Sequence, residues 1–218
     1  MTNPELRPNP ENEINTPRVD VKSEYEEFVP DAFRQNPLSY FETHGVNIKQ
    51  GEILYDETGR VREDPTAVKD LPIWENKTGQ KVHPVGKKVN LAKGKVAEAG
   101  DPFYEYQIME YVQSKGLPGP KPIAKASEGD AHLIVMENVP GMRWSYRRRL
   151  TKQGWSDADV DALHKQGEVM MAELQTRFEE QGIIRGWKLS DMIFDIDVEN
   201  KQLKGLVPVD WERTKIKP

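Results

Sequence analysis

The sequence contains no cysteine among its 218 residues, which excludes disulfide bonds, thiolate metal sites and a cysteine nucleophile. It also lacks any apolar run near the roughly 20 residues that a membrane-spanning helix needs. The first residues, MTNPELRPNPENE, contain no apolar signal-peptide core. We therefore expect a protein that is cytoplasmic, or exported without a cleaved signal peptide, and that has no membrane as a partner.

Positive charge is scarcer than negative charge in this chain. There are 31 Lys and Arg against 36 Asp and Glu, which gives a net charge of −5 and a pI near 5.5. This balance argues against general nucleic-acid binding. Hydrophobic residues make up only 36% of the chain, so part of it is expected to lie outside a core. The four histidines, at positions 44, 83, 132 and 164, show no pairing at metal-ligand spacing.

The N-terminal region, residues 1–36, has five prolines, and its large apolar residues appear only toward its end. Such a segment buries too little surface to offset its ordering entropy. We predict a disordered tail or a tail that docks on a partner, two alternatives that the sequence does not separate. The remaining residues, 37–218, are enough for one sizeable domain.

The stretch Ala131–Gly141 reads AHLIVMENVPG. A short apolar run bounded by turn residues is typical of a strand buried on both faces. The Pro-Gly pair at its end predicts that the chain leaves the sheet there.

Further strands and a helix are predicted before this stretch. Turn residues at Asp56–Gly59 and Asn76–Gly79 separate short apolar segments and predict two tight turns, the first within a hairpin. Partial alternation over Val85–Lys93 predicts a strand that ends in a lysine. A helix is predicted from Asp101 to Gly116, because Asp and Pro suit its first turn and Gly its end. Glu105 lies near the apolar side of this helix.

The C-terminal part contains a long amphipathic pattern. A capping-box-like start at Ser156 precedes apolar residues at helical spacing up to Gly182, which predicts a core helix of about seven turns. Two strands, Met192–Val198 and Leu203–Val209, are predicted next, and Asp210 follows the second.

One dense basic run is present, Arg143–Arg149. Most such clusters are solvated helix faces, but an acidic partner surface or a phosphorylated ligand is an alternative. This run and the N-terminal tail are the candidate interfaces for a protein partner.

The order of these features resembles the protein-kinase-like fold over roughly residues 73–213, in particular its aminoglycoside-phosphotransferase branch and the very small kinases of bacterial effectors. The features are a strand ending in Ala-Lys, a helix with an early Glu, a Pro-rich linker, an apolar strand entering a turn, a long helix, and a hairpin ending in Val-Asp-Trp-Glu. The resemblance implies an α+β fold of two lobes. A small antiparallel sheet lobe would span about 46–138, and a reduced helical lobe about 139–218.

The resemblance also implies ATP and Mg2+ as cofactors, with named residues in each role. Lys93 corresponds to the phosphate-contacting lysine, and Glu105 to the acid that pairs with it. Asp210 corresponds to the metal-binding aspartate. The hinge that would meet adenine corresponds to Met136, Glu137, Asn138 and Val139.

The segment aligned with the family's catalytic loop departs from the pattern. Trp187 stands where the proton-accepting Asp is expected, and Met192 where the metal-binding Asn is expected. Neither side chain can accept a proton in that role or supply an oxygen ligand to Mg2+. Asp191 becomes a catalytic candidate only if the loop runs differently. A glycine-rich phosphate loop before Lys93 is missing as well.

Four functions follow from these observations. The first is a pseudokinase-like module that binds ATP or acts through a protein partner, motivated by Trp187 and Met192. The second is a small active phosphotransferase, dependent on Mg-ATP, that modifies a protein through a rerouted loop. The third is the same fold used for different chemistry, such as nucleotidyl transfer. The fourth is a binding module unrelated to kinases.

Overall fold

The structure is a computed structural model that describes residues 16–46, 54–55, 61–63, 68–89, 101–143, 146–211 and 213–217. The chain divides into two compact units. The first comprises residues 1–90 and 124–135, and the second residues 91–123 and 136–218. The sheet lobe to about residue 138 and the helical lobe after it stay a prediction.

A five-stranded sheet forms the centre of the first unit, and its strands are antiparallel. The backbone N–H of Val89 also donates to the carbonyl of His132, 2.8 Å away. In spatial order the strands are β1 (Arg18–Val21), β8 (Pro122–Glu128), β9 (Ala131–Glu137), β7 (Pro84–Lys88) and β4 (Lys69–Asp70). The prediction of a buried strand at residues 131–136 is confirmed, because Leu133, Ile134 and Val135 are fully buried.

Two short antiparallel pairs accompany this sheet. β2 (Leu54–Tyr55) pairs with β3 (Val61–Glu63), as the predicted hairpin requires; the turn between them lies outside the described residues. β5 (Trp74–Glu75) pairs with β6 (Lys81–Val82) around the predicted turn. In that turn the Asn76 side-chain oxygen accepts the Gln80 backbone N–H at 2.9 Å.

Much of the predicted N-terminal tail is folded. Residues 18–35 include β1, a 3₁₀ turn at Ser23–Tyr25 and α1 (Asp31–Gln35), and α2 (Pro37–Thr43) follows. The prediction of a tail is therefore wrong for residues 18–35; residues 1–15 lie outside the described residues.

An aromatic cluster explains why this segment is ordered. The ring of Phe33, fully buried, lies 5.6 Å from Tyr40 and 5.7 Å from Trp74 between centroids. The Trp74 indole donates to the Tyr40 hydroxyl at 2.9 Å. Buried aromatic groups with satisfied polar atoms contribute enough apolar burial to offset the ordering entropy.

The second unit contains the longer helices: α3 (Tyr104–Ser114), α4 (Tyr146–Lys152) and α5 (Asp157–Glu180). The α5 helix has 24 residues and begins with the predicted capping box at Ser156, so this prediction is confirmed. The α3 helix begins three residues after Asp101, whose carboxylate accepts the Phe103 backbone N–H at 2.7 Å.

The C-terminal strands also belong to the second unit. The strands β11 (Met192–Asp197) and β12 (Gln202–Pro208) form the predicted antiparallel hairpin. The short strands β10 (Ile183–Ile184) and β13 (Lys215–Ile216) pair with each other. Gly141 approaches this hairpin closely, since a Cβ there would lie 2.7 Å from the Phe194 carbonyl oxygen. The Pro-Gly break predicted at the end of β9 is thus required sterically.

The α+β class with an antiparallel sheet is confirmed, and the two-lobed arrangement stays a prediction. Within the described part of the chain, every helix is too short or too polar to cross a membrane.

Candidate functional site

Arg185 organises a cluster of charges in the second unit. It follows β10 directly, and its side chain is only 5% exposed. Burying a guanidinium is costly unless its charge is paired and its N–H groups are hydrogen-bonded. The surroundings of Arg185 therefore determine what this part of the chain can do.

Arg185 contacts both aspartates that the sequence predicted as catalytic. Its Nη2 lies 3.2 Å from Asp191 Oδ2 and 3.0 Å from Asp210 Oδ2. Its Nη1 also donates to the backbone carbonyl of Asp210. The structure thus brings Asp191 and Asp210 to one guanidinium.

The backbone holds the two aspartates at this place. Asp191 ends a 3₁₀ turn (Leu189–Asp191), and its carbonyl accepts the Val209 N–H at 3.0 Å. This bond fixes Asp191 beside the chain that leads from β12 to Asp210. The Asp191 side chain is 18% exposed and the Asp210 side chain 47% exposed, so solvent reaches the cluster mainly from the Asp210 side.

Trp187 belongs to an aromatic cluster beside these charges. Its ring centroid lies 5.0 Å from that of Trp211, and the centroid of Phe178 lies 5.7 Å from each. The Arg185 guanidinium carbon is 4.6 Å from the Trp187 centroid, in cation–π geometry. Trp187 is 6% exposed. The residue at the expected catalytic-base position is therefore a buried packing residue.

The residues present do not fit the Mg2+ ion that the resemblance implies. Mg2+ takes oxygen ligands in octahedral geometry, whereas a guanidinium occupies the facing oxygens of Asp191 and Asp210. Met192, at the expected second-metal position, is 1% exposed and carries no oxygen ligand. Among the described residues, no three His, Asp or Glu side chains gather as they would around a metal ion.

The predicted adenine hinge lies at the end of β9. Met136 is 3% exposed, and the Glu137 N–H donates to the Lys121 carbonyl at 2.8 Å. Asn138 is exposed and Val139 partly exposed. In the described part of the chain, no hydrogen bond uses the Val139 N–H or C=O.

Lys93 lies outside the described residues, and the strand on which the sequence placed it runs from Pro84 to Lys88. Within that strand Lys87 is 6% exposed. Burial lowers the pKa of its neighbour Lys88. The sequence did not predict the burial of Lys87, although this residue shares the alternation of the buried residues Val85 and Val89.

Glu105 lies on α3 and is 7% exposed, as its position near the apolar side predicted. Ile108 and Met109, one turn further along, are fully buried. A carboxylate this well buried needs a hydrogen-bonding or charged partner, which is consistent with the role that the resemblance gives it.

The predicted basic run continues into α4. Arg147 forms an ion pair with Asp161 at 2.6 Å, while the side chains of Arg148, Arg149 and Lys152 are exposed. The run therefore presents a cationic helix face to solvent.

No family model matches the chain, and no curated protein matches it. The chain is similar to the solved structure of WbdD, a bifunctional kinase-methyltransferase, with 15% identity and a TM-score of 0.39 over 67% of this chain and 30% of that one. A second structure, WbdD with a kinase inhibitor, gives 14% identity and a TM-score of 0.37 over 71% and 34%. The chain spans about a third of the length of either. At these TM-scores the kinase-like fold stays a prediction.

Proposed function

We propose that this chain is a kinase-like nucleotide-binding protein that does not transfer phosphate. The burial of Trp187 is the observation that carries this proposal. Phosphoryl transfer to a hydroxyl needs an acceptor that takes its proton and orients it. An indole N–H is only a donor, and Trp187 is locked between Arg185 and the rings of Phe178 and Trp211.

Asp191 does not replace the missing base in this arrangement. Its carboxylate accepts from the Arg185 guanidinium and from the Lys188 N–H. Both donors reach its Oδ2 oxygen, which is thereby held within its own chain and turned away from the role of a base.

Nucleotide binding depends on different groups, so it does not require the catalytic loop. Adenine would bind through the Val139 N–H and C=O, since backbone groups can bind it whatever side chains the loop carries. The phosphate-contacting lysine is Lys93, as the resemblance implies, and it lies outside the described residues. Glu105 keeps its predicted role.

The binding part of the proposal is tested by the melting temperature with and without ATP. A ligand that binds only the native state raises it, so we expect a rise for the wild-type chain. Val139→Pro removes the backbone donor and should abolish the rise. Val139→Ala keeps that donor and should lose only a small part of the rise in melting temperature. A rise that survives in Val139→Pro would contradict the hinge.

The absence of transfer is tested with γ-labelled ATP and Mg2+, using casein and the chain itself as acceptors. We expect no labelling above that of heat-denatured protein. Labelling that disappears in Asp210→Asn would overturn the proposal in favour of an active phosphotransferase.

A second candidate function is supported by α4, and it is an interaction with an acidic protein segment. Arg148, Arg149 and Lys152 are exposed on a seven-residue helix, and Arg147 binds a carboxylate at 2.6 Å. Guanidinium groups bind carboxylates in paired geometry. A short acidic segment fits better than RNA, because a long polyanion would also meet the rest of a chain whose net charge is −5.

This second function is tested with a fluorescent octaglutamate peptide in an anisotropy titration. Arg148→Glu/Arg149→Glu should weaken binding by more than tenfold. The matched control for the charge change is Lys165→Glu/Arg177→Glu, at two exposed positions on α5. This variant should weaken peptide binding far less. Equal losses in both variants, or tighter binding of an oligouridine, would contradict an acidic protein partner.

A further inference from the structure

We infer that Arg185 takes the place of a divalent cation at Asp191 and Asp210, so that this chain binds nucleotide without Mg2+. The exclusion of the metal rests on the geometry alone, while the nucleotide part rests on the function proposed above. Arg185 is in this sense the residue that determines which cation the two aspartates accept.

The guanidinium uses the oxygens that a metal would need. One side chain contacts Asp191 Oδ2, Asp210 Oδ2 and the Asp210 carbonyl oxygen. Carboxylate and carbonyl oxygens are the ligands that hard divalent cations prefer. A cation that bound the same oxygens would have to displace the guanidinium, and it would be repelled by that positive charge at short range.

Displacement is opposed by the packing around Arg185. Its side chain is 5% exposed, and its guanidinium lies over the Trp187 ring at 4.6 Å. Moving the group would break this cation–π contact and two charge-assisted hydrogen bonds.

Arginine suits this role better than lysine would. Its planar fork carries five N–H donors, so one residue reaches two carboxylates and a carbonyl at once. Unlike a bound metal ion, the guanidinium is part of the chain, so a chelator cannot remove it. The positive charge at Asp191 and Asp210 is therefore permanent.

Two measurable consequences follow for the intact chain. The cluster should bind no divalent cation through Asp210 while Arg185 is present, and it should gain such binding when Arg185 is replaced by a neutral residue. ATP binding should be equally strong with Mg2+ and with a chelator.

The first experiment titrates the chain with Mn2+ and follows free Mn2+ by electron paramagnetic resonance. We expect the wild-type chain and Asp210→Asn to bind the same small amount, because only scattered surface carboxylates contribute. Arg185→Gln should gain a site at least tenfold tighter, and Arg185→Gln/Asp210→Asn should lose it again. Arg177→Gln, which removes an exposed arginine of α5, is the matched control and should gain nothing.

Two results would overturn the metal exclusion. The first is wild-type Mn2+ binding that exceeds that of Asp210→Asn, because Arg185 would then not keep the metal out. The second is a folded Arg185→Gln that gains no site. Circular dichroism establishes whether Arg185→Gln is folded, and the comparison of wild type with Asp210→Asn decides the question if it is not.

The second experiment measures the ATP-induced rise in melting temperature in EDTA and in Mg2+. We expect the apparent dissociation constants of ATP in EDTA and in Mg2+ to agree within twofold. A rise that requires Mg2+ would overturn the inference. The lack of any rise in both conditions would overturn the proposed nucleotide binding, and the Mn2+ comparison would then decide the metal exclusion separately.

Discussion

The guanidinium of Arg185 lies 3.0 Å from the carboxylate of Asp210. Asp210 was predicted to bind a metal ion, and its structural partner is instead a cation from its own chain. The same guanidinium also lies 3.2 Å from Asp191, so it joins the turn before β11 to the second residue after β12. Through Asp191 and Asp210, Arg185 thus connects the two ends of the β11–β12 hairpin.

Loss of this charge cluster should destabilise the chain. Arg185→Ala leaves the mostly buried Asp191 carboxylate without its counter-charge, so we expect the free energy of unfolding to fall by about 3 kcal/mol. Because the two residues interact, Arg185→Ala/Asp191→Ala should cost clearly less than the sum of the single changes. Urea denaturation measures each value. Arg177→Ala on the exposed face of α5 is the control, and strict additivity in the double variant would contradict the pairing.

The packing of the N-terminal helices on the sheet can be tested at Gly86. A Cβ at this position would lie 2.7 Å from two ring atoms of Phe41, so Gly86→Ala must displace that buried ring. We expect a loss of about 2 kcal/mol in the free energy of unfolding. Gly205→Ala is the matched control, because a Cβ there meets no atom within 4 Å. Equal effects at both glycines would contradict the docking of α2.

The β11–β12 hairpin should contribute a pH-dependent stability term through Asp197. Hydrogen bonds from the Asn200 side chain, then from Lys204 and the Asn200 backbone, lower the pKa of Asp197 below its ordinary value of 3.8. A carboxylate whose pKa is lower in the folded state than in the unfolded state stabilises the fold at pH values above the unfolded pKa. This stabilisation is lost as the pH falls through the folded pKa. Asp197→Asn should therefore be less stable than wild type at pH 6, with the difference shrinking below pH 3.8. Urea midpoints from pH 6 to pH 2 measure this, and a constant difference would argue against it.

The phosphate-contacting role of Lys93 can be tested against Lys87, a buried lysine of β7. Lys93→Met should weaken ATP binding more than tenfold, because the resemblance gives this ammonium the contact with the phosphates. Lys87→Met is the matched control and should weaken it far less. The melting temperature at increasing ATP concentration gives both affinities. A larger loss in Lys87→Met would contradict the role of Lys93.

Local patterns were enough to predict several elements. The capping box at Ser156 and the spacing of apolar residues predicted α5, and the apolar run with its Pro-Gly end predicted β9. These signals depend on neighbours within a few residues, and propensity and periodicity describe such neighbours well. The hairpin of β11 and β12 was predicted for the same reason.

Two features escaped prediction because their causes are distant in the chain. The N-terminal segment appeared too polar to fold by itself, yet Phe33 and Tyr40 pack against Trp74. The sequence pattern does not single out Lys87, yet this residue is buried on β7. A sequence pattern does not show which segment will cover a given face.

Residue types alone put an indole (Trp187) and a thioether (Met192) where the kinase resemblance implies a carboxylate and an amide. Side-chain chemistry is fixed by residue type, so no fold can give an indole or a thioether the role of a carboxylate or an amide. The contacts of Arg185 with both Asp191 and Asp210 are visible only in the folded chain. Ion pairing depends on separations in space that the chain reaches only after β10, the 3₁₀ turn and β12 have packed together.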